Sequence, residues 1–250
     1  MASHRTLLVL AMVAFALTIL ARLPARWLPA LLPEGVACTD PVGTFWQGSC
    51  ASFDARGFRA GAVRWSLHPW ALLGGKAAAA LRVAPPGSTL EGEFTWRLFG
   101  GAIEGTAVRG NFDLRPGGLL PGIPADLSGR VSLALDAFAV RERTVTSLRG
   151  VVEVNGVQQR TAEGVLPLGS YELRFDGPTT PGGNVSGRLR DTGGPLAVEG
   201  TLALTPAPGY LLNGTVAVRP EAPPGLARQI AFLGSPDANG RRPFAQEATF

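Results

Sequence analysis

Glycine and proline cut this chain into short pieces, and between the cuts apolar residues recur at every second position. The 250 residues include 33 Gly and 21 Pro, a density of breakers that excludes a helical bundle. The alternation is clear in Phe94, Trp96 and Leu98, in Val131, Leu133 and Leu135, in Leu202 and Leu204, and in Val216 and Val218. A period of two belongs to strands that bury one face and wet the other. With 46% apolar residues the chain can bury a core, and its length suits one domain with an appendage or two small domains.

A loose repeat runs through the body: an apolar residue, any residue, Gly, any residue, then alternating apolar residues. It occurs at Leu90–Trp96, Leu127–Leu133, Leu148–Val154, Val198–Leu204 and Leu212–Val218. The glycines, Gly92, Gly129, Gly150, Gly200 and Gly214, are unevenly spaced, so this is no fixed-period solenoid. A glycine within a strand allows a sharp bend or a close approach of neighbouring backbones. The reading is a long antiparallel meander whose sheet must curl or close. Two short helices are expected within it. One lies over Pro69–Gly75, and the other over Gly225–Gly234, where Leu226, Ile230 and Leu233 fall on one helical face.

The N-terminus has a different character. Thr6–Ala21 carries no charge, and Arg22 and Trp27 follow it. The run is slightly short of the ~20 apolar residues of a full membrane span. Arg22 can snorkel and Trp27 can sit at the interface, which lengthens it. A cleaved signal peptide is the rival reading. It needs small residues before the cut, yet cutting after Ala21 puts Ile19 at the third position and cutting after Ala25 puts Leu23 there. An uncleaved anchor within residues 1–30 is therefore expected, with a β domain over 31–250 outside the cytoplasmic membrane.

Cys38 and Cys50 flank Pro41–Gly43. A turn between them would bring two short strands back to back, so two readings stand: a disulfide, which an extracytoplasmic location favours, or two buried free thiols. Closing such a loop stabilises by about 2–3 kcal/mol in the chain-entropy model.

Chemistry of other kinds is sparse. Two His and two Cys offer little to zinc, and no cofactor is expected. Phosphate-loop, nucleophile-elbow and metalloprotease motifs are absent, and Gly118–Gly122 sits in a Pro-broken loop with no helix after it. His68 stands alone before Pro69 and reads as solvated or structural. Glu91 and Glu93 share one side of a strand, and the neighbouring sequence supplies no acid–base partner residue. Asn213-Gly214 reads as a turn. The basic balance rests on Arg, with Lys76 as the sole Lys and a net charge of only +4. The arginines are scattered, with Arg241 and Arg242 alone adjacent, and no patch suits nucleic acid.

A recognisable order emerges from these pieces. An N-terminal apolar run leads to Leu23–Leu32, then to G-T-F-W-Q-G at Gly43–Gly48 and W-x-L-x-P at Trp65–Pro69. Later come L-G-x-Y at Leu168–Tyr171, the glycine-rich stretch Gly194–Leu204, Gly209–Tyr210, and Leu233–Gly234. This order resembles protein N of the bacterial type II secretion system. The resemblance implies an accessory inner-membrane component with a periplasmic β domain and other secretion components as partners. The chain is also similar to AsmA-like periplasmic proteins, whose curved sheets form a half-open groove for lipid. The expected fold is thus mainly β, an N-terminal transmembrane helix followed by a long curved antiparallel meander with one or two short helices. Two functions follow from it. The sheet is an assembly module offering edges and patches to partners, or its concave face carries lipid. A filled interior favours the first and an open apolar stripe the second.

Overall fold

The computed structural model describes residues 7–8, 11–12, 15, 18–19, 22–55, 58–114, 125–142, 144–177, 184–205 and 209–249. These form two compact units, Met1–Pro86 and Gly87–Phe250. Both are antiparallel β structures with few helical residues.

The first unit holds a helical turn at Ala25–Trp27, helix α1 (Leu28–Leu31) and strands β1 (Val36–Thr39), β2 (Val42–Gly43), β3 (Gln47–Ala55), β4 (Phe58–His68) and β5 (Lys76–Ala84). A 3-10 helix, Pro69–Gly74, joins β4 to β5. β1 and β2 lie along the same side of β3, with Val36 opposite Ala55 and Val42 opposite Ser49. Asp40, at φ 49°, and Pro41 interrupt them. That break blunts what would be a continuous unpaired edge.

The second unit holds β6 (Thr89–Arg97), β7 (Ile103–Leu114), β8 (Leu127–Arg141), β9 (Thr144–Thr161), β10 (Gly164–Asp176), β11 (Ser186–Gly193), β12 (Leu196–Thr205), β13 (Gly209–Val218), helix α2 (Pro224–Ala231) and β14 (Arg242–Thr249). Each strand pairs with the next along the chain. The meander read from the alternation is what forms.

The repeat glycines act in two ways. Gly92 and Gly129 stand at register shifts, and Gly150 stands opposite a third. At Gly92 the additional residue is on β7, where Ala107 takes φ 51°. Gly200 and Gly214 instead face each other across β12 and β13, and a Cβ on Gly200 would lie 2.6 Å from the Asn213 carbonyl oxygen. Asn213-Gly214 is therefore mid-strand and not the turn its dipeptide suggests. Pairing on both sides overrides the local preference. Aromatic rings lie over several strand glycines. A Cβ on Gly187 would meet the Phe175 ring at 2.7 Å, and one on Gly214 would meet Phe244 at 2.8 Å. The missing side chain on one strand makes room for a large one on its neighbour.

Both expected short helices are present, at Pro69–Gly74 and Pro224–Ala231. α1 and the turn before it are additional. Their local sequence, with Pro24 and Pro29, gives little helical periodicity, and packing holds them in place. The expected transmembrane helix needs a correction of scope. Thr6–Ala21 falls largely outside the described residues, although Leu7, Leu8, Ala11, Met12, Phe15, Thr18 and Ile19 are helical. Among the described residues no helix is long and apolar enough to cross a membrane. The Gly118–Gly122 loop also lies outside the described residues.

Gly48 gives a test of the first unit. A Cβ there would sit 2.5 Å from the Trp65 ring and 2.7 Å from the Val42 carbonyl oxygen. Gly48→Ala is expected to destabilise by about 1–3 kcal/mol, the usual cost of overpacking. A lowered urea midpoint with an unchanged slope is the expected reading.

Candidate interaction surface

The first unit is built around Trp65. Its indole N–H donates to the Phe45 carbonyl at 2.9 Å, and its ring lies where a Gly48 side chain would be. Phe45 and Trp46 form the tip of the β2–β3 hairpin, closed by the Thr44 N–H on the Gln47 carbonyl at 2.8 Å. The Leu67 N–H reaches the Trp46 carbonyl at 2.6 Å, and the Phe45 N–H reaches the Leu23 carbonyl at 2.7 Å. The two motifs Gly43–Gly48 and Trp65–Pro69 are thus one interlocked piece. The segment after the N-terminal run is tied to it, and Ala25 is only 1% exposed against Cys38, Cys50 and Trp65.

Cys38 on β1 and Cys50 on β3 belong to the same cluster, with Cα atoms 5.6 Å apart. Cys38 is paired in register with Phe53, three residues beyond Cys50. In a regular strand an odd separation puts two side chains on opposite faces. The register shift between Cys50 and Phe53 against β4 allows Cys50 to turn to the Cys38 side.

The same end of this unit exposes apolar side chains. Trp70 is 81% and Leu73 84% exposed on the 3-10 helix, with Leu72 also exposed, and Trp27 is exposed beside the helical turn. Gly75, left-handed at φ 67°, ends that helix by donating its N–H to the Leu72 carbonyl.

In the second unit one face is polar and the other apolar. Cross-strand pairs join Arg188 to Asp176 at 2.7 Å and Arg97 to Glu104 at 2.7 Å, and Arg241, just before β14, reaches Glu199 of β12 at 2.7 Å. Many arginines are therefore spent within the sheet surface, which accounts for the scatter seen in the sequence. Glu172 on β10 is buried between Arg190, at 3.0 Å, and Arg174, at 3.3 Å. The Arg190 hydrogen bond holds its carboxyl below the usual carboxylate range, with Arg174 assisting against burial.

Parts of the apolar face are closed off. Val108, Phe112, Val131 and Leu135 are buried along β7 and β8. On β10, β12 and β13, Leu166, Leu196, Val198 and Val216 pack with Leu226 of α2. Beyond α2, Phe232 and Leu233 are exposed. A cleft of about 680 Å³ lies there, lined by Thr161, Glu163, Leu166, Arg228, Gln229 and Phe232.

The glycine-tyrosine motifs also meet in space. The Tyr171 hydroxyl donates to the Leu168 carbonyl at 2.5 Å. Gly169, at φ 114°, lies against Gly193 and Gly194 of the β11–β12 turn. Arg219 clamps that turn, donating to the Gly194 carbonyl at 2.6 Å and to Asp191 at 2.5 Å. Asp191 also accepts the Val198 N–H. Burial opposes ionisation of Asp191, but these bonds outweigh it and its pKa is lowered. Burial and the neighbouring Asp191 charge push the Tyr171 phenol up to about 12. Sequence reasoning missed Asp191, Arg219 and Glu172, since Arg190, Val198 and Arg219 reach the two carboxylates from distant parts of the chain. The Gly193-Gly194-Pro195 turn was the only local signal.

His68 is exposed at the end of β4, and Glu91 and Glu93 are exposed on β6. The structure does not bring His68 together with either carboxylate in one unit. Among the described residues no cluster of three or more His, Cys, Asp or Glu is arranged to hold a metal.

Residues 34–245 match the family model for type II secretion system protein N. The chain belongs to the type II secretion system protein N family. It is 31% identical to type II secretion system protein N of Aeromonas hydrophila over 93% of both chains. It is 26% identical to the protein of that name from Vibrio cholerae, over 88% of this chain and 87% of the relative. The Klebsiella pneumoniae protein of that name is 29% identical over 88% and 86%. No solved structure matches. The matched region of this protein N family member takes in both interlocked motif groups, around Trp65 and around Tyr171.

The lowered Glu172 pKa has a consequence for stability. A carboxylate depressed in the folded state contributes stability that is complete above its unfolded value, about 4.5. That stability is lost as pH falls through the lowered folded value. Glu172→Gln should therefore lower Tm at pH 7 and flatten the fall of Tm as pH drops below about 4.5. An unchanged acid slope in thermal melts would contradict this role.

Proposed function

We propose that this chain, a type II secretion system component by family, is an accessory assembly module. In this reading Thr6–Ala21 anchors it in the inner membrane and both β units face the periplasm. The uncharged run, the missing cleavage site and the exposed helical residues Leu7, Leu8, Met12, Phe15 and Ile19 support the anchor.

The observation that carries assembly over lipid transport is Leu226, 1% exposed, seated on the apolar face of β10, β12 and β13. A lipid-carrying groove needs that face free for acyl chains. Here the chain covers it with its own helix, and Val108, Val131 and Leu135 are closed off as well. What is left for partners is outside: Phe232 and Leu233 with their cleft, and the outer edge of β14. Pro243 lies in that strand, as suits an edge.

Phe232→Ser is expected to reduce co-purification with other secretion components after crosslinking by several-fold, while the purified protein melts as before. Glu91→Ala and Glu93→Ala should leave secretion near normal, whereas Leu133→Asp should lose the fold by burying an unpaired charge. Stoichiometric phospholipid in protein purified without detergent, together with unchanged co-purification by Phe232→Ser, would favour the lipid reading instead.

The same reading proposes a Cys38–Cys50 disulfide formed in the oxidising periplasm. Non-reducing peptide mapping of periplasmically exposed protein should find the linked pair. Replacing both with Ser should cost about 2–3 kcal/mol by the loop-closure argument and leave the strand register intact.

A further inference from the structure

The connection between β4 and β5 is longer than its hairpin needs. Pro69–Gly74 and Gly75 form a complete 3-10 helix with a left-handed cap, and it presents Trp70, Leu72 and Leu73 to solvent. Hairpin loops of two to five residues are the norm. None of the three side chains belongs to the cluster around Trp65. An exposed apolar group on an ordered support marks an interaction site.

Position narrows the partner. Gln47 is opposite Ser66 and Gly48 opposite Trp65, so the hairpin tip and this helix lie at one end of the strands. The N-terminal segment reaches that same end, where Pro24 bridges Thr44 and the Leu23 carbonyl accepts the Phe45 N–H. The uncharged run Thr6–Ala21 therefore leads directly into the end of the unit that exposes Trp70 and Leu73. Cations sit in these same stretches of chain: Arg22 and Arg26 follow the run, and Lys76, the sole lysine of the chain, opens β5 immediately after the helix. All three are exposed. Tryptophan, leucine and basic side chains together suit the headgroup boundary of an anionic bilayer.

We infer that this end of the first unit docks on the membrane surface, with Trp70, Leu72 and Leu73 inserted at the headgroup level and Arg22, Arg26 and Lys76 facing anionic lipid. The inference rests on the anchoring reading and adds a second, peripheral contact to it. The docked unit would be held in one orientation at the bilayer instead of swinging from its anchor.

The test uses the full chain reconstituted into vesicles of phosphatidylethanolamine and phosphatidylglycerol. A photoreactive benzoylphenylalanine replaces Leu73 in one variant and Ala84, exposed at the far end of β5, in the other. After flotation and irradiation, the probe at 73 should form phospholipid adducts several-fold more than the probe at 84. Exchanging phosphatidylglycerol for phosphatidylcholine should reduce the adduct at 73. Flotation with equal, low adduct at both positions overturns docking and leaves anchoring standing. Failure to float overturns anchoring and docking together. A protein-sized adduct at 73 in place of lipid overturns docking in favour of a second copy of this chain. An adduct at 73 indifferent to lipid charge overturns the role given to Arg22, Arg26 and Lys76.

Discussion

Every strand in both units draws its backbone hydrogen bonds from antiparallel neighbours, and the alternation along each strand then gathers its buried apolar side chains on one face. That face must be covered, because a sheet two side chains wide in water has no second layer of its own. Much of the remaining structure answers this need. In the second unit α2 lays Leu226 over Leu166, Leu196, Val198 and Val216. In the first, the segment from Pro24 to Leu32 folds back and buries Ala25 on the Cys38, Cys50 and Trp65 cluster.

Neighbour-to-neighbour pairing also makes the sheet tolerant of local irregularity. A register shift at Gly92, Gly129 or opposite Gly150 disturbs one pair of strands and leaves the order unchanged. Shifts re-aim side chains, and the one between Cys50 and Phe53 does so for Cys50. Other strand glycines, Gly187 and Gly214 among them, make room for an aromatic ring from the adjacent strand. Phe175 over Gly187 and Phe244 over Gly214 bring large apolar groups close to the backbone.

The same economy explains the charge distribution. With one face apolar, the arginines and carboxylates share the other and pair across strands, directly opposite as Glu172 and Arg190 do or diagonally as Asp176 and Arg188 do. Exposed pairs of this kind contribute little each. Glu172 is an exception, because burial between Arg190 and Arg174 makes its ionised state part of the fold, and Asp191, clamped by Arg219, is another. The basic excess is consequently dispersed, and the surfaces left to recognise something else are apolar: Phe232 and Leu233 in one unit, Trp70 and Leu73 in the other.

The strand content, the antiparallel meander, the two short helices and the role of glycine as a strand irregularity were all legible in the sequence. Period-two alternation and Gly or Pro breaks are local signals, set by backbone sterics within a few residues. The family was legible too, through Gly43–Gly48, Trp65–Pro69 and Leu168–Tyr171, although their meaning was not. Only the tertiary structure showed that Trp65 caps Phe45 across the hairpin and that Gly169 nests against Gly193 and Gly194. It alone decided that Asn213-Gly214 is strand, because pairing with β12 and β14 outweighs a turn preference. It alone found the Glu172 and Asp191 clusters, to which Arg190, Val198 and Arg219 come from outside the strand that carries the carboxylate. Alternation announces that a face is apolar, but what covers that face depends on where α2 and the Pro24–Leu32 segment fold back, and long-range packing decides that.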